Sequence, residues 1–207
     1  MEKYDVKKAR KALYTAPTKA FKVVEVPELQ YLAVEGKGDP NTSAVYGQAV
    51  EALYGTAYAL KFASKNDLGR DFVVAPMEGL WRADDPSVFL TRRKEEWKWT
   101  MLIGQPDWID KDMVVAAVKK AGSKKANPAL AKLRLRTINE GTCVQILHIG
   151  SYDSETPTLE KLHDHYLPHN NLTFNGDHHE IYLSDARRTA PAKLKTILRQ
   201  PVKPAKR

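Results

Sequence analysis

The chain has 207 residues, of which 43% are hydrophobic and 28% are charged, a composition typical of a globular protein. Its single cysteine, Cys143, excludes an internal disulfide framework and a metal site built from several thiolates, so we expect a reducing, cytoplasmic environment. Stretches without Asp, Glu, Lys or Arg reach about a dozen residues, against the roughly 20 that a transmembrane helix needs, and the N-terminus lacks the apolar run of a secretory signal. The sequence therefore predicts no membrane partner.

The net charge of +8 is concentrated at one end of the chain. Eight basic residues and no acidic ones follow Ala186, whereas the remaining 25 bases equal the 25 acids in number. No Phe, Tyr or Trp occurs after Ala186 to stack on a nucleotide base. We interpret this basic tail as a solvated strand end followed by a frayed terminus, and we predict no specific nucleic-acid partner.

The first half of the chain predicts the order strand, helix, strand, strand. The first ~20 residues are weakly periodic, and we interpret them as a peripheral arm. Alternation in 21–26 and 29–34 predicts strand structure, and apolar residues at helical spacing predict a helix over 44–63. Two further strands are expected over 72–81 and 89–103.

The second half predicts the same order after a connecting helix. That helix is expected over 111–120, with Asp110 and Gly122 as its caps. The elements after it are a strand over 133–150, a helix beginning at Thr156-Pro157, a turn at 175–176 and strands over 179–184 and 193–202.

Short echoes between the two halves favour an origin by duplication. Residues 100–106 (TMLIGQP) are similar to 196–201 (TILRQP), and Glu78 and Glu180 take the same place in each half. We therefore predict one α+β domain over 1–207. Its parts are a first βαββ repeat over about 20–106, a connecting helix over about 110–121 and a second βαββ repeat over about 132–203.

Alternation along a strand sorts its side chains into two faces. In the segment 178–184, Ile181 and Leu183 point to one face, which we expect the helices to cover. Glu180 and Tyr182 then point to the uncovered face, near the groove where the two halves are expected to meet.

The combination of carboxylates with nearby aromatic residues is the pattern that suggests a binding or catalytic site. Glu78 lies close in sequence to Trp81, and Glu180 lies close to Tyr182. A carboxylate in an aromatic-walled cleft can attract a cationic or flat aromatic ligand, and burial raises its pKa towards that of a general acid or base. The alternative is that both carboxylates pair with basic neighbours while the tryptophans fill the core.

The remaining reactive residues match no catalytic motif. The six histidines lack the spacing of a helical metal site, so we predict no bound metal. The sequence contains neither a nucleophile elbow nor a phosphate-binding loop, and we predict no cofactor. Cys143 lies in an apolar strand pattern, which favours a small buried residue over a nucleophile.

Five segments together resemble the GyrI-like small-molecule-binding proteins, and in particular the stand-alone bacterial subfamily that includes cyclopropanoid cyclopropyl hydrolases. They are 36–41 (GKGDPN), 51–54 (EALY), 78–81 (EGLW), 95–100 (EEWKWT) and 178–191 (HHEIYLSDARRTAP). The resemblance implies duplicated βαββ repeats of the SHS2 type with pseudo-two-fold symmetry. It also implies antiparallel sheets covered by helices and a ligand cleft between the repeats.

The same resemblance implies a reaction, the hydrolytic opening of an activated cyclopropane in planar DNA-alkylating natural products. The family's central glutamate falls on Glu180, which becomes the first candidate for the base. Glu78 is the second candidate, and Tyr182 is the candidate donor to the oxygen that gains charge. The resemblance also implies an aromatic cage that binds the ligand, and its candidates are Trp81, Trp97, Trp99, Tyr46, Tyr54 and Tyr182. Met101, which alternation places on the same side as Trp97 and Trp99, is a further candidate for ligand binding.

A protein that binds its ligand without turnover is the alternative function. It would sequester or sense cationic or aromatic compounds, using the same carboxylates as charge partners. A homodimer is possible under either function.

Overall fold

The computed structural model describes residues 3–85 and 93–206, which form an α+β fold. The chain divides into two compact units whose segments alternate along the sequence. Unit 1 consists of Met1–Ala9 and Leu29–Ile138, and unit 2 consists of Arg10–Glu28 and Asn139–Arg207. Within each unit the named strands pair in antiparallel fashion.

The bounds of the elements are as follows. The strands are β1 Lys22–Val26, β2 Leu29–Lys37, β3 Met77–Arg82, β4 Lys98–Gln105, β5 Arg134–Ile138, β6 Gly141–Ile149, β7 Leu172–Phe174, β8 His178–Tyr182 and β9 Lys195–Pro204. The α-helices are α1 Val6–Ala9, α2 Ala44–Asp67, α3 Lys111–Lys124, α4 Thr156–Glu160 and α5 Leu167–His169. A π-helix, Lys161–Tyr166, joins α4 to α5, and we call these three elements the C-terminal helical segment.

The sheet of unit 1 has the strand order β3-β4-β2-β5. Helix α2 packs on it through small and apolar residues that recur every three or four positions, among them Leu53, Ala57 and Leu60, all 0% exposed. The ring of Tyr46, near the start of α2, contacts Trp81 of β3. Helix α2 therefore covers the face of the sheet to which Trp81 points.

The sheet of unit 2 has the strand order β1-β6-β9-β8, and β7 pairs with the end of β9. Leu162 and Leu167 of the C-terminal helical segment pack against Val144 of β6 and Val202 of β9. The face of the sheet that carries Val144 is thus the one that the helical segment covers.

The two units do not coincide with the predicted repeats. Strand β1 pairs with β6 in unit 2, and β5 pairs with β2 in unit 1. The predicted strand over 133–150 is in fact β5 and β6, separated by a turn in which Gly141 has a φ of +64°. Duplication of a βαββ unit stays a prediction.

Several element boundaries differ from those expected. Helices α2 and α3 both continue past their predicted ends, α3 beyond the expected cap at Gly122. Of the strand expected over 89–103, residues 89–92 lie outside the described residues, and β4 begins only at Lys98, after a 3-10 turn at Lys94–Glu96. Strand β7, which ends just before the turn at 175–176, was not predicted, and it pairs with β9.

The first segment of unit 2 is part of the core and not a peripheral arm. Leu13 and Tyr14 are each only 5% exposed. The backbone oxygens of Ala12 and Thr15 accept hydrogen bonds from the Gln145 side chain, both at 3.0 Å, and the Leu13 oxygen accepts one from Arg199 at 2.6 Å. Polar groups buried in the sheet of unit 2 thus hold this segment in place.

Arg199 is a buried cation, so the interpretation of the whole basic tail as solvated is wrong. It is 1% exposed and donates to Glu140 at 3.2 Å, and Glu140 lies 2.9 Å from Nδ1 of His179. Burial alone raises the pKa of Glu140, but His179 and Arg199 more than offset this and lower it to about 2. Glu140 therefore neutralises the buried charge.

Candidate functional site

Glu180 and Tyr182 form a hydrogen-bonded pair on β8 of unit 2. The Tyr182 hydroxyl donates to Glu180 Oε2 at 2.8 Å, because residues two positions apart on a strand share a face. Nε2 of His178, two positions before Glu180, lies 3.6 Å from Glu180 Oε1. The Glu180 side chain is only 13% exposed. A mostly buried carboxylate is thus oriented by a phenol and faces an imidazole.

This pair lies on the covered face of its sheet, so the expectation of an uncovered face is wrong. The register places Glu180 opposite Leu198, and Leu198 shares its face with Val144 of β6. Val144 packs against Leu162 of the C-terminal helical segment. The opposite face carries Arg199 and the segment that it binds. Alternation distinguishes two faces but does not say which one a helix takes, and this caused the error.

Glu155 joins this group and was missed by the sequence analysis. It is the N-cap residue of α4 and is 4% exposed. Burial and the nearby Glu180 carboxylate, with a smaller contribution from Asp153, raise the pKa of Glu155 to about 10. At neutral pH the unit therefore contains a protonated carboxyl group beside Glu180. In the sequence, Glu155 looks like an ordinary acidic residue at a helix N-terminus, and nothing there signals its burial.

Aromatic and imidazole rings surround the group within unit 2. Tyr152 contacts Tyr182 edge to face, with ring centroids 5.6 Å apart. His163 of the π-helix lies 6.5 Å from His178 and 4.9 Å from Phe174, measured between ring centroids. Burial, with a contribution from His178, lowers the pKa of His163 to about 4, so this imidazole is neutral at physiological pH. We call Glu155, His178, Glu180 and Tyr182 the carboxyl group site.

Unit 1 holds a separate cluster of aromatic rings. Trp81 stacks on Tyr46 at 6.4 Å between ring centroids and meets Trp97 edge to face at 5.7 Å. Trp99 meets Tyr46 edge to face at 5.2 Å. A chain of ring contacts therefore connects four of the predicted cage residues, and Lys94 lies over the Trp97 ring at 5.6 Å from its centroid. Tyr46 and Trp97 are the partly exposed members of this aromatic cluster.

Trp99 and Met101 are core residues of unit 1, both 0% exposed. The Trp99 ring lies directly on Gly36, where a Cβ atom would come within 2.2 Å of the ring, and Trp99 Nε1 donates to the Gly38 oxygen at 3.2 Å. Tyr54 is partly exposed and lies on α2, about two helical turns after Tyr46. The role of these residues in ligand binding stays a prediction.

Glu78 and Trp81 do not share a face, so their expected pairing is wrong. They are three positions apart on β3, and Glu78 lies opposite Leu102, whose face carries the buried cluster of Leu102 with Tyr31 and Ala33. Glu78 is 0% exposed. It points away from the face that α2 covers, whereas Glu180 points to the covered face of its own unit. The two glutamates are thus not in equivalent positions, because a shift of one residue along a strand reverses the face.

No three His, Cys, Asp or Glu side chains among residues 3–85 and 93–206 converge in an arrangement that could hold an ion. Cys143 is fully buried, and burial raises the pKa of its thiol to about 12.

Comparison with known protein families identifies the fold. The model of the GyrI-like small molecule binding domain matches residues 19–203. The chain belongs to this family. The GyrI-like match covers both compact units and therefore includes the carboxyl group site and the aromatic cluster. No curated protein sequence matches the chain at a significant level.

Solved structures similar to this GyrI-like chain come from Listeria innocua. A conserved, uncharacterized protein is 36% identical, with a TM-score of 0.88, and the match covers 97% of this chain and 100% of that one. Two structures of hydrolases are 35% and 34% identical, with TM-scores of 0.84 and 0.85. These two matches cover 97% and 98% of this chain and all of the other chain in each case.

None of the helices in the described residues is long and apolar enough to cross a membrane.

Proposed function

We propose that this protein is a hydrolase that opens the activated cyclopropane of planar, DNA-alkylating natural products and thereby protects the cell. One observation carries the proposal. Glu180 is a mostly buried carboxylate that accepts a hydrogen bond from Tyr182 at 2.8 Å and lies beside the buried carboxyl group of Glu155. The similarity to hydrolases over nearly the whole chain favours a reaction over binding alone.

In this proposal Glu180 accepts a proton from the attacking water. Its carboxylate is oriented by Tyr182, and its low exposure limits competition from bulk solvent. The attacking oxygen bonds to a cyclopropane methylene carbon, and the strained carbon–carbon bond breaks. The bonding pair moves into the conjugated carbonyl of the substrate, whose oxygen gains charge and then a proton. Substrate and one water thus give a single ring-opened product.

The aromatic cluster of unit 1 is our candidate for binding a flat ring system. Tyr46 and Trp97 are partly exposed, and Trp81 lies between them in contact with both. An exposed aromatic face binds a planar ligand by stacking and a cation by cation–π attraction. Trp99, Met101 and Tyr54 are proposed to shape this surface. Glu78 is our second candidate for the base, although it faces away from these rings.

Binding without turnover is the alternative, and the small-molecule-binding character of the family favours it. In that case Glu180 would be a charge partner for a cationic or aromatic ligand, and the ligand would leave the protein unchanged.

The deciding experiment is mass spectrometry of the products after incubation with a cyclopropane-containing alkylator. A product heavier by one water supports hydrolysis. Unchanged alkylator that stays bound to the protein contradicts hydrolysis and supports the alternative. If the alkylator neither binds to the protein nor gives a product, both functions are overturned.

A further inference from the structure

We propose that Glu155 is the general acid of the hydrolysis, donating its proton to the substrate oxygen that gains charge while Glu180 accepts the proton of the attacking water. The inference rests on the proposed function and adds a second reacting carboxyl group to it. Neither the sequence motifs nor the family resemblance singles out Glu155.

Glu155 lies in the same part of unit 2 as Glu180. It ends the 3-10 turn Tyr152–Ser154, which places the Tyr152 ring against Tyr182. Its carboxyl group interacts with Glu180 on β8 and with Thr196 on β9, and Thr196 is the residue directly opposite Tyr182. Glu155 therefore belongs to the same cluster as Glu180, on the same face of the sheet.

The buried carboxyl group of Glu155 is incompletely hydrogen-bonded. Glu155 is 4% exposed, and its Oε1 atom has no hydrogen-bond partner. Both ring nitrogens of His178 on the same face are likewise buried without a hydrogen bond. Buried polar atoms without hydrogen bonds are destabilising. Such atoms are rare in folded proteins, and a catalytic role is one of the usual reasons for them.

The hydroxyl proton of Tyr182 is engaged in a hydrogen bond within the protein. Tyr182 was the expected donor, but its hydroxyl already donates to Glu180 at 2.8 Å. Its proton therefore serves to orient the base. Another group must then donate a proton to the substrate oxygen that gains charge. Glu155 is the neighbouring side chain that holds a proton at neutral pH.

The charge state of Glu155 agrees with this role. Burial and the Glu180 carboxylate raise its pKa far above that of a free glutamate, so Glu155 holds its proton at neutral pH. A carboxyl group that is kept protonated by its environment is the usual form of a general acid in an active site. Asp153 and Glu180 are the acidic groups that act on Glu155, and the His178 imidazole and the Tyr182 phenol share the face.

The proton balance closes within this pair of carboxyl groups. Glu180 takes a proton from water as the new carbon–oxygen bond forms. The electron pair of the broken carbon–carbon bond moves to the carbonyl oxygen, which takes the Glu155 proton. A proton then passes from Glu180 to Glu155, directly or through water, and restores the starting state. No oxidant, reductant or cofactor is required.

The test measures kcat and KM against pH with a cyclopropane-containing alkylator for the wild type, Glu155→Gln and Glu160→Gln. Glu160 is an exposed glutamate at the end of α4, so its amide variant is the matched control. We expect Glu155→Gln to lower kcat about 100-fold or more, with little change in KM, because a general acid contributes about that factor. We expect Glu160→Gln to match the wild type.

The pH profile separates an acid from a structural residue. Wild-type kcat should fall on the alkaline side as Glu155 loses its proton, and this limb should disappear in Glu155→Gln. An alkaline limb that persists in Glu155→Gln belongs to another group and overturns the inference. A flat wild-type profile at alkaline pH overturns it without any substitution.

The outcomes distinguish this inference from the proposed function. A Glu155→Gln variant as active as the wild type, alongside an inactive Glu180→Gln, overturns the role of Glu155 and leaves hydrolysis standing. A wild-type protein that forms no product overturns both.

Discussion

At the scale of single residues, Glu180 decides whether the protein is an enzyme. We expect Glu180→Gln to keep its ligand and to lose turnover by about 100-fold or more, because an amide preserves shape but accepts no proton. Kinetics and a direct binding titration on the same variant measure the two effects.

Two variants complete this comparison. Tyr182→Phe removes the hydrogen bond that orients Glu180 and should have a smaller effect on turnover than Glu180→Gln. Full turnover by Glu180→Gln would direct attention to Glu78. If Glu180→Gln and Glu78→Gln both retain turnover and only weaken the binding of cations, the carboxylates are charge partners and the alternative function is supported.

Glu140 is the residue on which the buried charges of unit 2 depend. Glu140→Gln leaves Arg199 and His179 without their carboxylate, and we expect it to lower the free energy of unfolding by about 3–5 kcal/mol. Urea denaturation measures the loss. The matched control is Glu35→Gln, since Glu35 is 55% exposed and pairs with Arg136 on the surface. A loss of 0–1 kcal/mol is expected for this control.

The contribution of Glu140 also depends on pH. Its pKa is about 2 in the folded protein, against 4.5 as the reference value. Its stabilisation is therefore complete above pH 4.5 and is lost as the pH falls towards 2. Glu140→Gln should lack this acid-dependent change. If Glu140→Gln and the wild type have the same acid denaturation curve, the stabilising role assigned to Glu140 is wrong.

At the scale of elements, close packing of β2 against the aromatic cluster predicts the effect of a single methyl group. Gly36→Ala places a Cβ atom 2.2 Å from the Trp99 ring, so the ring must move. We expect a loss of about 1–3 kcal/mol and a changed near-UV circular dichroism spectrum. Gly47→Ala is the control, because on α2 the added methyl group meets nothing within 4 Å.

The control Gly47→Ala is expected to change the stability in the opposite direction. Alanine in an exposed helix is more stable than glycine by about 0.5–1 kcal/mol, so Gly47→Ala should stabilise the protein. Equal stabilities of the two alanine variants would mean that Trp99 does not pack on Gly36. Because Trp99 is fully buried, Trp99→Ala should cost about 3–5 kcal/mol of stability before any effect on binding.

The sequence predicted elements well and faces poorly. Helix α2 was predictable because Leu53, Ala57 and Leu60 repeat at helical spacing, and β8 because its residues alternate. Whether Glu180 lies under a helix depends on register and on the side from which the helix arrives, which local pattern does not record. Glu155 was not predictable as a site residue, because only tertiary packing buries it.

At the scale of the whole molecule, the carboxyl group site should make folding stability fall with rising pH. Folded Glu155 keeps its proton up to about pH 10, against a reference pKa of 4.5. The folded state therefore binds more protons than the unfolded state between these values, and stability declines across that interval. Glu155→Gln removes the titration and should raise stability at pH 8.

We expect that gain to be about 1 kcal/mol or more, which corresponds to about 2–4 °C in Tm for a chain of this size. Thermal unfolding of the wild type, Glu155→Gln and Glu160→Gln at pH 5 and pH 8 measures it. The Tm values of the three proteins should differ least at pH 5. A Glu155→Gln variant less stable than the wild type at pH 8 would contradict a protonated Glu155. If Glu155→Gln is more stable and less active than the wild type, the carboxyl group site lowers stability in exchange for activity.

The alternating segments of the two units have a consequence for synthesis on the ribosome. Unit 1 has all its strands once residue 138 has emerged, but β1 must wait for β6 and β9, more than 100 residues downstream. Contacts of such long range slow folding, and an unpaired strand is exposed to association with other chains in the meantime. Burial of residues 10–28 therefore depends on strands that are synthesised much later. Termination of synthesis after unit 1 would leave this segment exposed and prone to association with other chains.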